Sequence, residues 1–430
     1  MDELKAFIDS QAFFDSHSHM AGFDVGGPVD DCQPRSLPQI LVNDYLLYLS
    51  GSCCDRSVSK DVPAEQAEDH FRAIWPHLEH CRGLATWAVY REAIRELHPF
   101  EGDDITQENW ATINEKILET YAEHGERAWQ REVARRAGVI KQAHMCQLSY
   151  VVDHWGSLPQ AERKAQAQLL VPCLILDGYL FSGFEVCHQG RLRSMEILGL
   201  EPQSYSEYLE FCEMALDRFL MEGGKALKLE AAYHRTLYFE QVSDEEGEEL
   251  FTRGAESLQG EQLRRLQDNL LWHFMRMARE RELPLLVHTG YSLPSAWGDP
   301  ENMHNLARSG IKMGLCHSGW PHEGGALLMC RTYRTCYFDM CWTPLLSPTL
   351  GRQILAAAID MVPMNKIIIG TDCGSAECFY GTVKLIRQVL YEVLSEKIRQ
   401  RQFGLPVAQS IARAILHDNA CEFFGYPKNL

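Results

Sequence analysis

The sequence predicts an α/β chain folded as a (β/α)8 TIM barrel, and three observations carry that expectation. Short, near-continuous apolar runs that end in polar residues recur eight times, the pattern of parallel strands buried on both faces. Segments of helical periodicity separate most of them, the alternation that builds a closed parallel barrel. One interval, between the first two runs, is too long for a simple crossover and predicts a helical insertion over residues 21–138 that covers the barrel mouth. Residues 1–430 are read as one domain containing that insertion, because barrels with insertions reach this size as a single unit.

The elements follow in order. Phe13–Met20 (FFDSHSHM) is the first strand. GGP at Gly26–Pro28 matches neither a GxGxxG nor a Walker pattern and reads as a turn. Amphipathic helices are expected at Ala64–Cys81 and Trp110–Ala122, the second started by DDIT (Asp103–Thr106) and the QEN after it. His70, His77, His80 and His98 fall in this insertion and are read as surface positions. The remaining strands are Val139–Cys146, Leu169–Asp177, Lys225–Ala232, Leu283–Gly290, Ile311–Gly319, Cys336–Trp342 and Lys366–Gly374. Leu, Phe and Met at three- and four-residue spacing make Gln262–Arg281 a helix, broken before Pro284. The acidic stretch Gln241–Glu249 reads as solvated loop or helix surface.

Composition narrows the class of function. A hydrophobic fraction of 46% with 23% charged residues belongs to a chain that buries a large core. Lys and Arg number 41 against 59 Asp and Glu, and the net charge of −18 disfavours general binding to nucleic acid or anionic membrane. The 15 cysteines are odd in number and scattered, with Cys53 and Cys54 adjacent, which suits buried thiols in a reducing cytosol. Cys330, Cys336 and Cys341 match no common zinc-finger spacing and read as core thiols. The N-terminal MDELKAFIDS lacks the character of a secretory signal, and the apolar run around Leu169–Leu176 is too short to span a bilayer. A cytoplasmic protein acting on a small molecule is expected, with a homo-oligomer left open.

The candidate chemistry sits at strand ends. His17 and His19 are two residues apart on the first strand, so alternation puts both imidazoles on one side of it. His288 ends the fifth strand, His317 the sixth and Asp372 the eighth, the positions where barrel active sites are built. A divalent ion held by neutral imidazoles and one carboxylate keeps a net positive charge, so it polarises a bound water or a substrate carbonyl. Tyr233, Arg235, Trp320, His322 and Trp342 lie just past strand ends, where substrate contact and aromatic cap packing are both open. His322 reads as loop surface, and His144 as a core histidine bonded to backbone.

DSHSHM, the strand-end His288 and His317, and IIIGTD ending in Asp372 resemble the metal-dependent amidohydrolase superfamily over nearly the whole chain. KLEAAY (Lys228–Tyr233), PLLVHTGY (Pro284–Tyr291), HSGWP (His317–Pro321), FDMCW (Phe338–Trp342) and DNACEFFG (Asp418–Gly425) resemble its amidohydrolase-related branch, which holds acyl hydrolases, hydratases and decarboxylases. Within that branch the sequence is most similar to amidohydrolase domains related to nodulin and to those joined to glutamine-synthetase-like proteins. ITQENW (Ile105–Trp110) resembles uronate isomerases of the same superfamily.

The resemblance implies that His17, His19, His288 and Asp372 bind one divalent ion, zinc or manganese, in preference to two. It implies that His317 acts on the substrate or ligates a second ion, and that Asp372 doubles as general base. Lys228 stays ambiguous between a carbamylated metal bridge, a partner for a substrate carboxylate, and a buried ion pair with an acid such as Glu230. The expected function is a metal-dependent hydrolase that cleaves a C–N or related acyl bond with metal-activated water. The alternatives are a lyase or uronate-isomerase-like enzyme on a carboxylated small molecule, and, from another class, a catalytically silent barrel used as a scaffold.

Overall fold

The structure is a computed structural model, and it describes residues 2–20, 35–42, 46 and 62–429. The GGP turn and the Cys53–Cys54 pair lie outside the described residues. Eight strands form one sheet in sequence order: β1 (Phe13–Ser18), β2 (Val139–Cys146), β3 (Leu170–Ile175), β4 (Ala226–Leu229), β5 (Leu285–Val287), β6 (Met313–Leu315), β7 (Cys336–Asp339) and β8 (Ile367–Ile368). Every neighbouring pair is parallel.

Past β8 the chain returns to β1. Ser16 donates its N–H to the Ile369 carbonyl at 3.2 Å, Asp372 to His17 at 2.7 Å, and His19 to Cys373 at 2.9 Å. Gly370 permits this approach, since a Cβ there would stand 2.6 Å from the His17 nitrogen. These bonds bring the two ends of the sheet together as a (β/α)8 barrel.

All eight apolar runs contain a strand, but β5 to β8 are shorter than their runs. The polar residues at the ends leave the ladder: His317, Ser318, Trp342 and Asp372 all have positive φ (66°, 55°, 64° and 59°). Non-glycine residues rarely hold that conformation, and where they do the surrounding structure commonly enforces it at a functional site.

The interior of the barrel is filled by Phe14, Ala143, Met145, Val171, Cys173, Ala226, Leu286, Cys316, Tyr337 and Ile368. The last helix, Asn419–Phe424, packs into the same cluster: Phe424 stacks on Phe14 at 5.2 Å and Phe423 meets Tyr337 edge-on at 5.0 Å. Burying each such ring stabilises the fold by about 1.5–3 kcal/mol. Cys330, Cys336 and Cys341 are buried free thiols, as the sequence suggested.

Between β1 and β2 the described residues include helices Ala67–Cys81, Ala85–Leu97, Trp110–His124 and Glu126–Arg136. The start of Trp110–His124 is fixed as its sequence suggests: the Thr106 hydroxyl accepts from the Glu108 and Asn109 N–H groups, while Asn109 Oδ1 accepts from the Thr106 N–H. Helix Ala85–Leu97 lies against the long helix Ala376–Arg399 so closely that a Cβ on Gly381 would meet Val89 Cγ1 at 2.6 Å.

Two histidines of this region correct the surface reading. His70 is buried on the inner face of Ala67–Cys81, and His98 is buried where its helix ends, bonded through Nε2 to Glu377 Oε1 at 3.1 Å. Amphipathic spacing had marked these helices for packing, but a histidine's polarity does not reveal which side of a helix it occupies. The acidic stretch becomes helix Asp244–Thr252, capped by Ser243, with Asp244, Glu245 and Glu246 in the first turn, where the helix dipole favours negative charge.

Candidate metal centre

His17, His317 and Asp372 are buried, and one ligand atom from each lies within 4.8 Å of the others. The elements explain the convergence. β1 carries His17 inward, the left-handed turn after β6 swings His317 out of its strand, and the closing bond from the Asp372 N–H to the His17 carbonyl fixes Asp372 beside β1. His17 Nε2 is 3.4 Å and His19 Nε2 3.0 Å from Asp372 Oδ1, and His317 Nδ1 is 3.6 Å from Oδ2.

The hydrogen bonds assign the lone pairs. His288 Nε2 faces the Tyr291 carbonyl oxygen at 2.9 Å, so that nitrogen must donate. Burial, followed by the neighbouring His317 and Lys228, holds His288 well below the usual imidazole range, so its ring is neutral and Nδ1 accepts. His317 Nε2 lies 2.8 Å from that Nδ1 and donates to it, which leaves the His317 Nδ1 lone pair facing Asp372 and the Cys341 sulfur at 3.4 Å. Lys228, wholly buried, directs Nζ at His17 Nε2 from 3.2 Å, so His17 also presents a lone pair.

Electrostatics agree with this pattern. Burial, and then Lys228, pushes His17 well below its ordinary value, and burial lowers His317 to about 4. Burial opposes charge on Asp372, but the imidazoles of His17, His19 and His317 outweigh it and hold the carboxyl well below the usual range. Burial also works against the Lys228 ammonium, yet Cys316, Glu230, Cys341 and Asp372 raise its pKa above the ordinary lysine value. The neutral imidazole of His317 and the ionised Asp372 carboxylate turn acceptor atoms toward one another, with His17 and His19 beside them. This donor set therefore fits a divalent ion.

The other sequence candidates divide. The Tyr233 ring lies 4.2 Å from His288. Trp342 meets the His317 ring edge-on at 5.8 Å, and Trp320 and Trp342 both pack on Tyr291. Arg235 is not brought to the cluster: its guanidinium is spent on Asp268 at 2.6 Å, Gln267, and the carbonyls of Thr236, Arg264 and Tyr238. Proximity to a strand end suggested substrate contact, but a buried guanidinium with all its donors engaged anchors the loop after β4 to helix Gly260–Glu280. His322 bonds to the Ser295 carbonyl on the loop surface, and His144 is buried against Tyr150.

Sequence reasoning passed over the acids and thiols inside the strands. Asp15 accepts from the Thr371 N–H at 2.8 Å and hydroxyl at 2.7 Å and from the His17 N–H at 3.2 Å, and so braces both ends of the centre. Asp339 accepts from the Ser16 hydroxyl and the Cys341 N–H. His17, Cys316, Asp339 and Cys341 form a second set of ligand atoms within 4.8 Å of one another. The available signal was an acid embedded in each apolar run, at FFDS and YFDM.

Barrel topology with imidazoles and a carboxylate gathered at the strand ends defines a (β/α)8 barrel with a candidate metal centre. Residues 233–426 match the family model described as amidohydrolase. Among solved structures, the chain is similar to a uronate isomerase from Thermotoga maritima, with 14% identity, 98% of this chain and 96% of that one covered, and a TM-score of 0.78. A glucuronate isomerase from Caulobacter crescentus gives 13% identity, 98% and 93% coverage and a TM-score of 0.77. A protein from Lactobacillus casei classed as a metal-dependent hydrolase gives 16%, 98% and 97%, and 0.67. No curated protein matches the chain in sequence. Among the described residues, no helix is long and apolar enough to cross a membrane.

Proposed function

We propose that this protein is a metal-dependent hydrolase that cleaves a C–N or related acyl bond of a small molecule. The observation that carries the reading is the convergence of the His17, His317 and Asp372 acceptor atoms within 4.8 Å in a buried site. When bound, one divalent ion, zinc or manganese, would supply Lewis acidity to an acyl carbonyl and acidify water.

His17, His19 and Asp372 are assigned to hold that ion. His288 and His317 share the remaining position, and the lone-pair assignment favours His317, with His288 orienting it through their 2.8 Å bond. Asp372 accepts the attacking water's proton at Oδ2 and passes it to the departing nitrogen. Lys228 and Tyr233 border the reacting group, and Trp320 and Trp342 wall the site and exclude water. The insertion 21–138 is assigned to cover the barrel mouth within a single domain.

The second reading is a lyase or an isomerase of a carboxylated sugar, and its support is the similarity to uronate isomerases. Such substrates call for a cation at the carboxylate; Arg235 is spent on Asp268, and the Lys228 ammonium is directed at His17. Elemental analysis after reconstitution with zinc or manganese, followed by screening amides, sugar acids and aromatic acids, tests the choice. Amide hydrolysis with about one ion per chain is expected. Protein that retains neither metal, or turnover confined to sugar acids, overturns it.

A further inference from the structure

Three consecutive strands run out into buried polar side chains that this chemistry leaves without work: Gln147 after β2, Asp177 after β3 and Glu230 after β4. Register sets the last two side by side. Ile175 pairs with Lys228 across β3 and β4, so two residues further on Asp177 comes level with Glu230, whose N–H donates to Asp177 Oδ2 at 2.8 Å. Leu229 pairs with Val287 across β4 and β5, and this brings Glu230 level with His288 of the metal centre. Cys187 joins the group: the Asp177 Cβ and the Cys187 Cβ both lie 2.9 Å from where a Cβ on Gly183 would stand, and Gln147 reaches the same thiol.

The unmet bonding capacity here is specific. Asp177 Oδ1 is wholly buried without a hydrogen-bond partner among the described residues, and the buried Gln147 amide has the Cys187 thiol beside it. Polar atoms in that state destabilise the folded chain unless something meets them. Burial, and then the Glu230 carboxyl, pushes Asp177 up to about 7. Lys228 acts on the pair, but its ammonium is already directed at His17. The rim above is aromatic and exposed, with Phe184 5.5 Å from Tyr233 and 4.7 Å from His234, and Tyr233 continues onto His288.

We propose that Asp177 and Glu230, with Gln147 beside them, form the subsite for a protonated primary amine carried by the substrate. The proposal rests on the hydrolase reading and deepens it: the substrate is an amide that bears a second amino group. An ammonium offers three donors and one positive charge to a pair of acids in which Asp177 Oδ2 receives the Glu230 N–H and Oδ1 receives none. A hydroxyl would meet one acceptor and leave the repulsion between the two acids in place. The aromatic rim admits the carbon chain that separates the ammonium from the bond cleaved beside His288.

The test reads binding, so it stands apart from whether amides are hydrolysed. Calorimetric titration of metal-loaded and metal-free protein with 1,4-diaminobutane and with butane-1,4-diol compares the two head groups on one chain length. We expect saturable binding of the diamine with or without metal, at least about tenfold tighter than the diol, and a loss of about tenfold in Asp177→Asn and in Glu230→Gln. Thermal melting establishes that each variant is folded, and if neither folds the contrast between diamine and diol in the unaltered protein decides alone. Equal affinity for the two probes, no binding of the diamine, or folded variants that bind it undiminished would each overturn the proposal. Failure of the hydrolase reading appears separately, as absent amide turnover or absent metal.

Discussion

Asp372 and Glu377 flank the turn that leads from β8 into helix Ala376–Arg399, and both are buried, yet their surroundings differ in kind. Glu377 is met by donors: the Tyr121 hydroxyl at 3.2 and 3.3 Å, Trp129 Nε1 at 3.3 Å and His98 Nε2 at 3.1 Å. These groups come from the helices between β1 and β2, and they tie those helices to the barrel. Asp372 is met by imidazoles, and those of His17 and His317 turn acceptor atoms into the space it faces. A buried carboxylate surrounded by donors is architecture. One that shares its space with an imidazole lone pair, as Asp372 does with that of His317, can hold a cation, and this distinction, more than burial itself, separates the candidate centre from the scaffold.

The largest expected effect breaks the comparison at Asp372. Asp372→Asn keeps the side chain's shape but removes its charge and basicity, so turnover on a substrate found by screening should fall by at least about a hundredfold. Metal content should fall as well, while the urea midpoint stays near that of the unaltered protein. Near-native turnover would withdraw both the general-base role and the hydrolase reading built on it. Glu377→Gln should do the reverse. Its amide NH2 would face the Tyr121 and Trp129 donors, costing about 2–3 kcal/mol of unfolding free energy with metal content retained. Urea titration with elemental analysis of the same sample reads both outcomes.

A smaller effect sharpens the assignment within the centre. His17→Ala and His19→Ala should lower metal occupancy without disturbing the circular dichroism of the barrel. If His288 orients His317 and does not itself ligate, His288→Ala should weaken metal binding by about tenfold, and His317→Ala by distinctly more. Competition with a chromogenic chelator measures both. The opposite order would return His288 to the ligand set and leave His317 to act on substrate.

The barrel was legible because parallel strands buried on both faces leave an apolar signature that survives without any contact information. The five residues proposed for the centre, His17, His19, His288, His317 and Asp372, were legible because each ends or closes such a run. What stayed hidden depends on partners distant in sequence. The outcome for Arg235 turns on Asp268 in the following helix, and no local pattern announces that pairing. His98 gave no sign of its bond to Glu377, which comes from the far end of the chain. The run KALKLEAA could not tell whether Lys228 reaches the centre, which depends on how β4 registers between β3 and β5. Asp15 and Asp339 were missed for another reason: an apolar run was read for its ends, whereas these acids sit inside it and serve the backbone of the site.

The smallest expected effect concerns pH and isolates Glu377. Burial opposes its charge, but the bond to His98, the field of that ring and the Trp129 donor outweigh it and hold the carboxyl below its ordinary value of 4.5. A carboxyl whose pKa is lower in the folded than in the unfolded chain binds fewer protons when folded. The stability it contributes is therefore complete above the unfolded value and is lost as pH falls through the folded one. The difference in unfolding free energy between the unaltered protein and Glu377→Gln should thus be constant from neutral pH down to about 5, and shrink below that. Taking the difference cancels the other carboxyls, Asp372 among them, which titrate in both proteins. Urea titrations of the two proteins across the acid range supply the curve. A gap that stays constant throughout would mean that Glu377 is held by shape alone, and the contrast with Asp372 would then rest only on the direction in which neighbouring lone pairs point.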